Sequence, residues 1–227
     1  MNPIVFTFDL PIWKIVYDTG SSTTSNKLLL LELRDKNQVQ WAILDTQQME
    51  ILWQRDLADW WWSVVAFENN KIHLHQYDDA EQFVPKKRLT INASTGIIEQ
   101  QNTYQYSIKD PVKNIHWKTS IAYEEDNPYY SKICEFIVHY TSQNPHKTIN
   151  YGEYFGNIIV VYYFYNSNTF TLSRSILVVH KSKYLHLHQI IPLDVDGGIL
   201  NEFLYDSNNI IYLHKPNEIS VLKWSKS

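Results

Sequence analysis

Trp41-Ala42-Ile43-Leu44-Asp45-Thr46-Gln47-Gln48-Met49-Glu50-Ile51-Leu52-Trp53 decides the fold: an apolar run stops at an aspartate, polar residues follow, and a second apolar run closes on tryptophan. Apolar runs this short are strands, and an Asp at the break can bond its own turn backbone. Forty-seven residues later Leu89-Thr90-Ile91-Asn92-Ala93-Ser94-Thr95-Gly96-Ile97-Ile98-Glu99-Gln100 repeats the arrangement, with Asn92 opposite Asp45. A strand precedes each copy, over Lys27 to Leu33 in the first and Ile72 to Gln76 in the second.

The same texture runs outward in both directions. Strands are expected at Val5 to Phe8, Trp13 to Tyr17, Val39 to Leu44, Glu50 to Trp53, Trp61 to Phe67, Lys71 to Gln76, Arg88 to Asn92 and Ile97 to Gln101. Further on they are expected at Ile133 to Tyr140, Ile158 to Tyr165, Phe170 to His180, Tyr184 to Ile190, Leu200 to Tyr205, Ile210 to His214 and Ser220 to Trp224. No long segment keeps apolar residues at helical spacing, so helix is expected only as short decoration. Glu68-Asn69-Asn70, Asp206-Ser207-Asn208, Lys181-Ser182-Lys183 and Lys215-Pro216-Asn217 read as hairpin turns between antiparallel strands. Asp18 to Asn26, which contains Gly20 to Ser25, and Gln143 to Lys147 read as surface loops, and neither demands a domain boundary. One domain over 1–227 is the expectation for this length.

Composition agrees with an all-β chain. Aromatic residues reach 15%, which favours pleated, half-buried surfaces. A net charge of -4 gives no general attraction for phosphate backbones or anionic lipid, so nucleic acid and membrane surface are not expected partners. No apolar stretch approaches the roughly 18 residues of a membrane span, and the N-terminus has no secretory pattern, so a cytoplasmic location is expected. The single cysteine, Cys134, has no intrachain partner for a disulfide and is read as a buried strand residue.

The turn pattern resembles the blades of quinoprotein-type β-propellers, whose ending runs from a strand through Asp, two variable residues and Thr-Gly to a strand closed by Trp eight residues after the Asp. Asp45 and Trp53 match in the first copy and Thr95-Gly96 in the second; Gln48-Met49, Asn92 and Gln100 depart from it. The chain as a whole also resembles an uncharacterised bacterial family known mainly from Bacteroidetes, which carries no activity to transfer. The blade likeness implies a β-propeller-like fold of roughly five antiparallel blades, since repeats of this length are typical of propellers. The other architecture these strands fit is a β-sandwich or similar two-sheet fold. No cofactor is expected, and the metal- and quinone-binding residues of quinoprotein dehydrogenases have no matching positions.

Four groups of residues invite a chemical reading. His73-Leu74-His75-Gln76 and His186-Leu187-His188-Gln189 share a string in which alternation puts both imidazoles on one face. Facing one another they would offer four nitrogens to a metal, whereas the plainer reading is the polar face of a strand, and no metal is expected. Trp60-Trp61-Trp62 sends one ring to one face and two to the other, leaving an aromatic edge for a sugar or peptide. Asp194-Val195-Asp196-Gly197-Gly198, with Asn201 and Glu202, supplies oxygens of the kind calcium uses but reads more simply as an acidic turn. Tyr129-Tyr130 and Tyr162-Tyr163-Phe164-Tyr165 read as packing residues, and Lys86-Lys87-Arg88 as a solvated strand start. The candidate ligand-binding residues are therefore Trp60, Trp61, Trp62, His75 and His188, with no catalytic constellation in view.

No phosphate-cradling loop, zinc helix or nucleophile elbow is present. The expectation is a non-enzymatic binding or scaffolding domain that meets a protein or neutral ligand with loops on one face. The competing readings are a glycan-directed hydrolase or lyase, which needs two carboxylates held across a cleft, and a structural assembly protein.

Overall fold

The structure, a computed structural model, describes residues 3–18, 28–36, 38–57, 61–77, 86–103, 118–154, 156–166, 171–191, 203–205 and 209–223. Trp60, the loop at Gly20 to Ser25, the acidic turn at Asp194 to Gly198, Asn201, Glu202 and the turn at Asp206 to Asn208 lie outside the described residues.

The chain proceeds through β1 (Ile4–Thr7), β2 (Ile12–Tyr17), β3 (Leu28–Arg34), β4 (Val39–Asp45), β5 (Glu50–Leu57), β6 (Trp62–Glu68), β7 (Lys71–Gln76), β8 (Lys87–Asn92) and β9 (Ile98–Thr103). It continues with β10 (Lys118–Thr119), β11 (Ile121–Tyr123), α1 (Tyr130–Thr141), β12 (His146–Tyr154), β13 (Asn157–Tyr165), β14 (Leu172–His180), β15 (Leu185–Ile191), β16 (Leu204–Tyr205), β17 (Asn209–Lys215) and β18 (Glu218–Lys223). The fold is all-β with one helix among the described residues, and the strands form four open antiparallel sheets of four or five strands. The repeat interval alone leaves room for about five such units. Two compact units share the sheets: an N-terminal unit, Phe8–His116, and a C-terminal unit, Trp117–Ser227 joined by Met1–Thr7.

In the N-terminal unit the sheets are the meanders β2-β3-β4-β5 and β6-β7-β8-β9. Leu28, Leu30, Val39, Trp41 and Ile43 of the first pack with Val64, Ile72, Leu74, Leu89 and Ile91 of the second. Leu29, Leu31, Leu33, Ala42 and Leu44, on the opposite face of β3 and β4, are also buried. Burial on both faces is why β3 reads as a nearly continuous leucine run and not as an alternation. Polar clasps tie the two sheets: Arg34, ion-paired to Glu32 at 2.5 Å, donates to the Trp62 carbonyl, and Lys14 Nζ donates to the Val64 carbonyl at 3.4 Å. Asp18 accepts the backbone N–H groups of Asn69 and Asn70, both at 2.8 Å, and so holds the β6–β7 turn, whose two residues have φ of 52° and 62°.

The two turns singled out in the sequence have the same build. Asp45 Oδ1 accepts from the amides of Gln47 and Gln48 at 2.7 and 2.9 Å, and Asn92 Oδ1 from those of Ser94 and Thr95 at 3.1 Å each. Met49 N–H and Gly96 N–H donate to the carbonyls of Asp45 and Asn92, both at 2.8 Å. Met49 and Gly96 occupy the left-handed region, with φ of 62° and 68°. An L-residue pays about 1 kcal/mol or more there and glycine does not. Met49→Gly is therefore expected to raise the stability of the N-terminal unit by about 0.5–1 kcal/mol, read from the urea midpoint; a lowered midpoint would show that the Met49 side chain contributes more packing than its backbone strain costs.

The C-terminal unit has three layers. One sheet runs β11-β12-β13-β14-β15 and the other β1-β18-β17-β16-β10. Ile159, Val161, Ile176 and Val178 pack with Ile210, Tyr212 and Leu222 of the second sheet and with Phe203 just before β16. Val160, Tyr162, Phe164, Leu177 and Val179, on the other side of the same strands, pack against Ile133 and Ile137 of α1. β1 pairs with β18 from Ile4↔Val221 to Thr7↔Glu218, so the start of the chain completes the sheet that holds its end.

Residues 133–140 are a helix and not the expected strand, and Cys134 is a half-buried helix residue. Ile133, Phe136, Ile137 and Tyr140 recur at intervals of three, one and three residues and all belong to one packed cluster, which is a helical stripe. Asn127 Oδ1 accepts the Tyr129 N–H at 3.0 Å ahead of the first turn, and Ser142, with φ of 59°, closes the last by donating to the Val138 carbonyl at 2.9 Å. β12 was the converse omission: Lys147, Thr148, Asn150, Gly152 and Glu153 disguise a strand whose partner β13 is apolar.

Candidate functional site

Helix α1 and the sheet beneath it leave a cleft of about 340 Å³ lined by Tyr123, Tyr129, Lys132, Ile133, Phe136, Tyr151, Glu153 and Ile158. Local periodicity explains the gathering. Tyr129, Lys132, Ile133 and Phe136 fall on one side of the helix, at spacings of three and four residues. Tyr151 and Glu153 alternate onto one face of β12, and the register sets Glu153 beside Ile158 and Tyr151 beside Ile121.

The walls are aromatic. Tyr123 meets Tyr151 edge to face, with ring centroids 5.8 Å apart and an 81° angle between planes. Tyr129, 60% exposed, stands at the rim, and Lys132 Nζ lies 5.9 Å from its ring centroid. One end is polar: the Tyr151 hydroxyl donates to Glu153 Oε1, and Lys181 Nζ is 2.7 Å from Glu153 Oε2. Lys181 and Tyr151, in that order, hold the Glu153 carboxyl below its ordinary pKa. Burial, then the bond to Glu153, pushes the Tyr151 phenol up. Both groups thus keep fixed roles at neutral pH, Glu153 as an ionised acceptor and Tyr151 as a neutral donor. Behind the wall Tyr130 donates to the Lys147 carbonyl at 2.7 Å, and its phenol is pushed up to about 12 by burial and by Cys134. Burial also raises the Cys134 thiol, keeping it in the unreactive form.

A glycosidase acid needs a raised pKa and a second carboxylate across the cleft, whereas Glu153 is lowered and is the carboxylate among the described lining residues. Among the described residues no three His, Cys, Asp or Glu side chains are grouped to hold a metal ion.

The residues chosen from sequence stand elsewhere. Trp61 is 40% exposed at the turn entering β6, and Trp62 is buried in the core of the N-terminal unit. His75 is buried on β7 with an edge contact to Tyr77 at 6.3 Å. Its neighbour His73 lies 3.2 Å from Thr90 Oγ1, 3.0 Å from Arg88 Nη2 and 3.7 Å from Glu68 Oε1. His188, in the C-terminal unit, is 3.3 Å from both the Tyr162 hydroxyl and Gln143 Oε1, and these two bond each other at 2.6 Å. The two His-x-His strings lie on β7 and β15, in different units. Tyr123, Lys132, Phe136, Tyr151 and Glu153 were not singled out in the sequence. The signals available were the helical spacing from Tyr129 to Phe136 and the alternation Tyr151-x-Glu153.

Comparison of the sequence with models of known protein families and with curated proteins gives no match. No helix among the described residues is long and apolar enough to cross a membrane.

Proposed function

We propose that the chain is a non-catalytic binding domain of propeller-like build, whose ligand occupies the aromatic cleft between α1 and the β11–β15 sheet. The observation that carries the reading is the cleft itself: four aromatic rings and an exposed rim, with one ion-paired carboxylate at the end. Sites for small molecules have this make-up, apolar walls with a few fixed polar groups.

Three features support the propeller-like build. The sheets are separate four- or five-stranded antiparallel sets, as blades are. β1 joins the sheet of β18, so one sheet is completed by strands far apart in sequence, as a propeller's closing blade is. Trp53, which ends the first copy, packs on Gly96 in the turn of the second. The resemblance to quinoprotein-type blades rests on that contact and on the two matching turns, with no quinone chemistry implied.

The test is to map a library of small neutral fragments onto the protein by amide chemical shifts. Shifts clustering at Tyr123, Tyr129, Lys132 and Tyr151, with the fragments recovered unchanged, are the expected result. Clustering away from the cleft, or conversion of a bound fragment, would overturn the reading.

A further inference from the structure

Resting on the cleft being the ligand site, we propose that its ligand is a neutral saccharide of about one or two pyranose rings. The volume, about 340 Å³, lies at the small end of the roughly 300–1,000 Å³ range of such sites and suits a short sugar, not an extended chain.

Charge selects among possible guests. Glu153 is already balanced by Lys181 at 2.7 Å, and the Tyr129 face already has the Lys132 ammonium 5.9 Å away. An anionic guest would meet the Glu153 carboxylate, and a cationic one would meet Lys132 and Lys181. A cationic guest finds the lining carboxylate already ion-paired to Lys181, and an anionic one gains Lys132 only by sitting beside that carboxylate. A guest without polar groups would strip water from Glu153 and Lys132 and return nothing.

A sugar ring answers both halves of the lining. Glu153 accepts one bond from Tyr151 and one from Lys181, and a carboxylate has roughly four acceptor positions, so hydroxyl donors can still be received. Lys132 has N–H donors for hydroxyl oxygens. The axial C–H groups of a pyranose form an apolar, weakly positive face that suits aromatic lining residues such as Tyr129 and Phe136. Neutral hydroxyls on the perimeter and C–H groups on the faces are the combination that satisfies this cleft.

The experiment probes an array of neutral and charged glycans with the full chain, then measures calorimetrically the affinity of a retained neutral disaccharide for the wild type and for Tyr129→Ala. Retention of neutral glycans is expected, with Tyr129→Ala weakening binding by about tenfold or more. Tyr129 is exposed, so the thermal midpoint of this variant should stay at the wild-type value. Retention of charged glycans alone, an unchanged affinity for Tyr129→Ala, or an array with nothing retained would each overturn the saccharide assignment. If neutral fragments still map to the cleft when no glycan binds, the ligand class alone fails. If neither binds there, the cleft reading fails with it.

Discussion

Replacing Trp53 by alanine is expected to cost the N-terminal unit about 3 kcal/mol, toward the low end of the range for a large aromatic because the ring is only partly buried. The indole has two attachments. Its Nε1–H donates to the Ala93 carbonyl at 2.6 Å, and its ring comes within 3.1 Å of where a Cβ on Gly96 would fall. Gly96→Ala should also destabilise, by about 1–2 kcal/mol from its positive φ of 68°, with a further cost where the indole, 3.1 Å from the new methyl, is held from giving way. The two effects are coupled through the ring. In the double variant that close contact has gone, so its total should fall short of the summed single costs. Chemical denaturation of the four proteins in the cycle measures that coupling; strict additivity would show that the indole does not rest on this turn.

Acidification from pH 7.5 to 5 is expected to destabilise both units. His73 and His75 in one, and His186, His188 and His214 in the other, all have pKa values lowered from the ordinary imidazole value, with burial the largest cause for each. Arg88 adds to the lowering of His73 and His75, and His180 to that of His186; Glu218 opposes it at His214. The sign follows from proton counting. Below about pH 6.5 the unfolded chain takes up protons that these five rings in the folded chain still refuse, so the free energy of unfolding falls as pH falls. Each proton of difference tilts stability by about 1.4 kcal/mol per pH unit, until the folded-state pKa is passed. The urea midpoint should therefore drop steadily over this range, and imidazole titrations followed by NMR should place His73 and His188 below the unfolded value. A level midpoint would contradict the burial of these rings. Glu99 and Glu153, lowered by their hydrogen-bonding partners, lose their contribution only at more acid pH and leave this window undisturbed.

The His-x-His strings thus matter for stability through the same alternation that suggested a metal site. What alternation could not supply is the partner of each face: on β7 it is Thr90, Arg88 and Glu68, and on β15 it is Tyr162 and Gln143. Trp62 illustrates the same gap, since a ring on an alternating strand faces core or solvent according to which sheet lies opposite. The error at residues 133–140 was of another kind. A run as apolar as Ile133-Cys134-Glu135-Phe136-Ile137-Val138 fits strand and helix alike, and the arbitration lay in its flanks, with Asn127 before and Ser142 after.

By itself the sequence determined what depends on near neighbours: strands from short apolar runs, and turns from Asp45, Asn92, Asn69 and Asn70, whose side chains or left-handed backbones act within a few residues. Antiparallel pairing of successive strands follows from that local chemistry, whereas the number of sheets, and the pairing of β1 with β18 and of β10 with β16, do not. Only the tertiary structure decided the cleft. Tyr123, Lys132, Tyr151 and Glu153 come from three elements and bear no mark that separates them from the chain's other tyrosines and charges, and Tyr129 was marked only as a packing residue. Their meeting depends on how α1 lies across β11 to β13, and that is set by Ile133 and Ile137 burying themselves against Val160 and Tyr162, contacts between residues more than twenty positions apart that no local pattern records.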